Sequence, residues 1–435
     1  MNIRIKNATL LNLDENTIDC GQTICIENGI ITFIGDDNNL FCHSFNAERE
    51  IDFNGDILIP GFINAHAHNA MTLFRGLKDD VSLEEWLYDN MFVIEKGLTY
   101  EDVYYGTILG LLEGLQSGIT TNLDCYFFSD AIVKANIDVG TRLVCGVDAG
   151  SAIGQSRKDY LTDTLNKLMT KYSNERVTYI GYAHSIYTLD EKQLEDTVIF
   201  ANDFKLPLHI HLAETLTEVG ECFAKNNKTP VQLLEDIGFF ERPCLIAHGV
   251  HIDKDDYTIL RQHDVSIAHC PASNLKLGSG IAPIYSYLTN GVNVCLGTDG
   301  VASNNAINMF RELYLASILQ KGNYKDPRIV PANQALKMAT INGAKACALN
   351  NIGLIKEGYK ADLVRIDTKK INMQPIYDTN AISNVVYSCD TRNVKMTMVN
   401  GEILYENGYF NGINVDEIIQ KCNDSLLKLK KKSKK

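Results

Sequence analysis

Twelve cysteines occur among 435 residues, yet no two stand as Cys-x-x-Cys. Neither a zinc knuckle nor a thioredoxin-like redox pair is therefore available. No apolar run approaches the roughly 20 residues of a membrane span, and the opening Met1-Asn2-Ile3-Arg4-Ile5-Lys6 lacks the apolar core of a secretory leader. Excess positive charge is missing too: 41 Lys and Arg against 54 Asp and Glu leave a net charge of −13, the wrong sign for a phosphate backbone. The Lys-rich stretch 428–435 then reads as a solvated terminus. No Gly-x-Gly-x-x-Gly follows the first long apolar run, which removes the dinucleotide-binding version of a doubly wound sheet. These absences point to a reduced, cytoplasmic globular protein with neither nucleic acid nor membrane as partner.

What is present is organised around Pro60–Leu77. The apolar run Ile57-Leu58-Ile59 reads as a buried strand, and residues two apart on a strand share a face. His66 and His68 therefore point the same way, where two imidazoles can reach one metal ion at roughly 2.0–2.1 Å. Downstream, apolar runs alternate with amphipathic ones. Candidate strands are 57–64, 120–124, 142–147, 177–183, 207–211, 244–247, 265–268 and 292–297. Helical stretches at 101–117, 159–172, 190–204, 230–237, 255–262 and 283–290 fall between them. Eight such strands are the closing number of a (β/α)8 TIM barrel. The first 57 residues and the region from Gly358 have another texture, short apolar runs broken by Asn-Gly and Asp turns. We expect a small β-sandwich from 1–57 and 358–410, a catalytic barrel over 58–357, and a C-terminal helix with a basic tail over 411–435.

In such a barrel the chemistry sits where strands end. Those ends read His66 and His68, Asp124, Asp148, His184, His211 with Glu214, His248, His269 and Asp299. Seven of ten histidines lie on or just past predicted strands, a clustering that favours a metal site over scattered surface histidines. His209 shares a face with His211 but lies deeper and is expected to be a core histidine. His251 and His263 read as structural. Three imidazoles and one carboxylate suit a divalent transition ion. The fourth strand end, Gly181-Tyr182-Ala183-His184, has no lysine to carboxylate, so one metal is expected rather than a bridged pair.

The motifs Pro60-Gly61-Phe62-Ile63-Asn64-Ala65-His66-Ala67-His68, Glu85-Trp86-Leu87, His209-Ile210-His211-Leu212-Ala213-Glu214, Ala247-His248-Gly249, His269-Cys270-Pro271-Ala272-Ser273-Asn274 and Gly297-Thr298-Asp299-Gly300 stand in one order along the chain. Together they resemble the amidohydrolase superfamily, and within it the 5-methylthioadenosine/S-adenosylhomocysteine deaminases. The resemblance covers nearly the whole chain. It implies a metal-dependent barrel carrying a β-sandwich, with His66, His68, His211 and Asp299 as ligands of one divalent ion, zinc before ferrous iron. It makes Glu214 the proton shuttle and His248 the histidine beside the attacking water, with Asp299 sharing in catalysis. Glu214 and Asp299 would also touch the substrate. Glu95 would hold the ribose hydroxyls and His184 the nucleoside, while Trp86 and Phe74 are candidates to cover the base. The family binds a homocysteine tail with two arginines. Arg157 matches one, and the other falls at Val144–Cys145, where no arginine stands; this departure favours neutral 5′-substituents. The implied reaction is hydrolytic deamination of adenine nucleosides by a homo-oligomer. The alternative is a relative acting on guanine, cytosine or a chlorinated triazine. The zinc deaminases that use His-x-Glu with Pro-Cys-x-x-Cys are a different fold, and that motif is missing.

Overall fold

The computed structural model describes residues 1–147, 156–377 and 379–433. Among them, two nine-stranded sheets form. One is a ring of parallel strands bonded in chain order: Phe62–His68, Ile119–Asp124, Arg142–Val147, Val177–Ser185, Leu208–Leu212, Cys244–His248, Ser266–His269 and Asn293–Leu296. It closes where Asp299–Gly300, just past the eighth strand, pairs with Ala67 and His68 of the first. Gly297 permits that closure, since a Cβ there would lie 2.7 Å from the Cβ of His66. The fold is a (β/α)8 barrel, as the alternation of strand and helix implied.

The helices start where local signals place them. Tyr100–Gln116 begins with a capping box between Thr99 and Asp102, and Glu191–Phe204 with one between Asp190 and Gln193, each satisfying two otherwise orphaned amides. Helices Ser129–Val139, Leu216–Asn226, Met309–Tyr324 and Ala332–Met338 were not anticipated. Met309–Tyr324 buries residues at several angles around its axis, so no single apolar stripe announces it.

The second sheet is mixed and draws on both ends of the chain. Ile57–Pro60 lies between Ile3–Asn12 and Leu363–Ile366, with Val394–Val399 and Glu402–Glu406 beyond the latter. It wraps an apolar core of Ile3, Ile5, Ile24, Ile26, Phe53, Leu58, Met396 and Met398. The run 57–64 is thus not one strand but two. Ile57–Pro60 belongs to the mixed sheet, and Phe62–His68 opens the barrel. The division falls at Gly61, whose N–H bonds Asp362 (2.8 Å) while that of Phe62 bonds Gly118 (2.9 Å). A Cβ on Gly61 would overlap the Thr120 side chain. A second tie between the sheets is the buried Arg142 guanidinium, which grips the Asp362 carboxylate at 2.8 and 3.0 Å. The C-terminal helix, Val415–Lys432, packs on Tyr100–Gln116, the thiol of Cys422 reaching the carbonyl of Tyr105. No disulfide forms among the described residues, and no helix of them is long and apolar enough to cross a membrane.

Candidate active site at the mouth of the barrel

Each strand delivers its polar residues to the same rim. His68 Nε2 lies 3.3 Å from His211 Nε2, and Asp299 Oδ1 is 3.4 Å from His66 Nε2 and 3.5 Å from His68 Nε2. Donor atoms placed 2.0–2.1 Å from a tetrahedral ion are about 3.3–3.4 Å apart, so these edges match the spacing around one ion.

The hydrogen bonds behind the rings fix which nitrogens face inward. His68 Nδ1 donates to the Cys125 carbonyl and His211 Nδ1 to that of His184. A carbonyl can only accept, so both rings present a bare Nε2 to the centre. His66 Nε2 is buried without a hydrogen-bond partner among the described residues. An orphaned polar atom at this depth costs free energy unless something fills the centre, and a divalent cation satisfies it. Burial holds the His66 imidazole down to about 4, with His68 and His248 adding repulsion. Burial also lowers His68 and His211, so all three are neutral near pH 7, the form that binds metal. Burial alone would raise Asp299, but the neighbouring His66, His248 and His68 imidazoles pull it well below the carboxylate range. Ser273 and Ser303 donate to its outer oxygen, Oδ2.

Beside this cluster, His248 Nε2 lies 3.7 Å from Glu214 Oε2, and His248 Nδ1 donates to Asn274 at 2.8 Å. Burial raises the Glu214 carboxyl. Burial opposes protonation of His248, but the Glu214 and Asp299 carboxylates outweigh it and leave the imidazole raised. A buried carboxyl shifted towards its protonated form beside an imidazole shifted towards its charged form suits proton transfer. His68, His211, Asp299, Glu214 and His248 open on a cavity of about 380 Å³, walled by Trp86, Phe92, Glu95, Tyr126, Arg157 and His184 among others. That volume suits a small organic molecule.

Residues 57–404 match the amidohydrolase family. The chain belongs to that family. It is 39% identical to a 5-methylthioadenosine/S-adenosylhomocysteine deaminase from Caldicellulosiruptor saccharolyticus, over 97% of each chain. Identity is 38% to a 5′-deoxyadenosine deaminase from Methanobrevibacter smithii, over 99% of each. A solved adenosine deaminase from Xanthomonas campestris with bound zinc superimposes with a TM-score of 0.93 at 27% identity, covering 99% of this chain and 98% of that one.

The amidohydrolase brings His68, His211, Asp299, Glu214, His248, Glu95, His184, Trp86 and Arg157 to one cavity, with His66 fully buried against His68, His211 and Asp299. Asp148 lies outside the described residues. Phe74 is 1% exposed within the apolar core and does not line the cavity. It is a packing residue, and Trp86 alone of that pair reaches the substrate space. Arg157 is buried at the wall, donating to Thr197 (2.9 Å) and the Tyr182 carbonyl (2.8 Å). His184 Nδ1 meets the hydroxyls of Thr188 and Ser185 at 3.0 and 3.2 Å. Burial, reinforced by the neighbouring histidines, holds it down to about 3, so it faces the cavity uncharged.

Three residues of the amidohydrolase site were not singled out. Tyr126 Oη donates to the Glu95 carboxylate. Glu218 accepts the amides of Ala213 and Glu214, both at 2.9 Å, holding Ala213 at φ +52° and so aiming Glu214. Glu218 stands in the first turn of the helix Leu216–Asn226, just past Glu214, and an acidic residue there was an available signal. His209, expected in the core, is fully buried yet sits 2.9 Å from His66 Nδ1.

Proposed function

We propose that this amidohydrolase deaminates adenine nucleosides hydrolytically, adding water at the amino-bearing ring carbon and releasing ammonia. The observation that carries the reading is one geometry. His66, His68 and Asp299 gather as one candidate metal group with His211 Nε2 3.3 Å from His68 Nε2, a paired acid and base stand beside them, and Glu95 lines the same cavity. The relatives named 5-methylthioadenosine/S-adenosylhomocysteine and 5′-deoxyadenosine deaminase support it. We assign His66, His68, His211 and Asp299 as ligands. Zinc is the proposed ion, since three imidazoles and a carboxylate suit it.

When bound, the ion lowers the pKa of water from about 15.7 to about 7, making it a nucleophile at neutral pH. Glu214 takes one proton from the attacking water and gives it to the ring nitrogen; it then carries the second, from the hydroxyl on the tetrahedral carbon, to the amino group, which leaves as ammonia as the C–N bond breaks. Its raised carboxyl suits both transfers. His248 orients the water and, with Asp299, holds charge as the ring carbon becomes tetrahedral. Glu95, braced by Tyr126, takes the ribose hydroxyls, neutral His184 contacts the nucleoside, and Trp86 covers the base. The cavity wall also carries Phe92, Phe127 and Leu189, and Arg157 already has two acceptors. This arrangement favours neutral groups such as methylthio or hydrogen over a charged homocysteine tail. A cytoplasmic homo-oligomer completes the proposal, each chain a barrel that opens at Phe62 rather than at residue 58, joined to a β-domain drawn from both ends of the chain.

The deciding experiment is a panel of adenosine, 5′-methylthioadenosine, 5′-deoxyadenosine, S-adenosylhomocysteine and guanine, with ammonia release and metal content measured on one sample. We expect turnover of the adenine nucleosides, fastest with neutral 5′-groups, and none of guanine. Turnover of guanine alone, or a metal-free protein with full activity, overturns the reading.

A further inference from the structure

The three histidines of the cluster are not held alike. His68 and His211 each donate Nδ1–H to a main-chain carbonyl, of Cys125 and His184. His66 instead has a side chain behind it: its Nδ1 lies 2.9 Å from His209 Nε2, and His209 Nδ1 lies 2.8 Å from the Leu245 carbonyl. The proton positions along this chain follow from its far end. A carbonyl oxygen only accepts, so His209 Nδ1 carries a hydrogen. The neutral His209 ring then has a lone pair on Nε2, and His66 Nδ1 must be the donor. That leaves the lone pair of His66 on Nε2, the buried atom without a hydrogen-bond partner, 3.4 Å from Asp299 Oδ1. His209 is itself fully buried and lies against the Tyr182 ring at a 5.9 Å centroid distance.

We propose that His209 is a positioning residue for the metal site, fixing His66 in its ligating tautomer and orientation through an imidazole–imidazole hydrogen bond anchored on the Leu245 carbonyl. The proposal rests on the metal reading above and goes beyond it, since His209 is outside the proposed ligand set and does not line the cavity. Outer partners of ligating histidines fix the ring and raise its basicity, and their loss typically costs about 10–100-fold in metal affinity. For His68 and His211 that partner belongs to the backbone and cannot be removed by substitution. For His66 it can.

The test is zinc affinity of the full-length apoprotein, measured by competition with a chromogenic chelator, alongside apoprotein melting temperature. His209→Leu leaves His66 Nδ1–H without an acceptor, and we expect affinity to fall about 10–100-fold. His209→Gln, whose side-chain oxygen can accept the same hydrogen, should recover most of that loss at a similar apoprotein melting temperature. A leucine variant that holds zinc as tightly as wild type overturns the proposal. Equal losses in both variants also overturn it, because they indicate packing rather than the acceptor. Should neither variant fold, nitrogen-15 shifts of the wild-type histidines decide. The proposal requires His209 protonated at Nδ1 and bare at Nε2, and the opposite tautomer ends it. If wild type itself takes up no stoichiometric zinc, the metal reading fails instead, so the two failures are distinguishable.

Discussion

At the start of the barrel strands, Ile63, Val144, Ile180 and Leu245 close over Ala344, Cys347 and Ile352. At the finish, the barrel's strands carry His66, His68, His211, His248 and Asp299. Burial does not separate these ends: Ile180 and Leu245 are 0% exposed, and the five polar residues between 0 and 9%. What differs is what has been buried. The apolar end gains free energy from its desolvation, whereas the polar end loses it unless every group finds a partner. The mouth shows that cost in its backbone as well, with Ala213, His248 and Asp299 at φ of +52°, +72° and +63°. Such conformations persist in non-glycine residues only where the surroundings impose them. One end of the barrel keeps the ring closed, and the other holds groups that would not choose to be there.

Substitutions should therefore separate activity from stability according to the end they touch. The largest effect belongs to Glu214→Gln, which keeps shape and removes the proton acceptor. We expect kcat to fall about 10²–10⁴-fold with metal content and unfolding midpoint unchanged; near-normal turnover would remove Glu214 from the mechanism. His211→Ala should abolish activity together with bound metal, measured by elemental analysis, and a fully metallated active variant would break the ligand assignment. At the other end, Ile180→Ala should cost about 2–5 kcal/mol in urea unfolding and leave kcat/KM of the folded fraction unchanged. A catalytic defect there would erase the distinction between the two ends. Tyr126→Phe should raise KM for ribonucleosides several-fold at constant kcat, and the effect should vanish with a 2′,3′-dideoxynucleoside that gives Glu95 nothing to hold. The smallest effect concerns Asp124. Burial raises its carboxyl to about 7, against about 3.9 in an unfolded chain. The folded state thus binds the proton more tightly, and this contribution to stability is full below pH 4 and lost as pH rises through 7. Apoprotein carrying Asp124→Asn should show a shallower decline of its unfolding midpoint between pH 5 and 8.

The same contrast explains what could be read from the residues alone. Strands such as Arg142–Val147 are continuous apolar runs because both faces are covered, so their number and order are plain in the sequence. The histidines at their ends stood out because polar residues interrupt those runs. Less legible were features that depend on two distant segments meeting. The change of sheet at Gly61 depends on Thr120 lying beside it, so 57–64 looks like one strand. His209 has the apolar neighbours of a core residue, and only the approach of His66 gives it another part. Tyr126 follows Cys125 like any aromatic after a strand, and its partner Glu95 is 31 residues earlier. Phe74 sits next to a motif but points into packing, a direction that spacing does not encode.

The junction at Gly61 has a consequence for how the protein can be trimmed. The residues that contribute no group to the chemistry run straight into the strand bearing His66 and His68, and the Arg142 clasp on Asp362 holds the far segment to the same seam. Deleting either terminus would unmoor that strand at its root. A shortened barrel should be judged first by whether it retains its ion, because the outlying sheet is the footing on which the ligands stand.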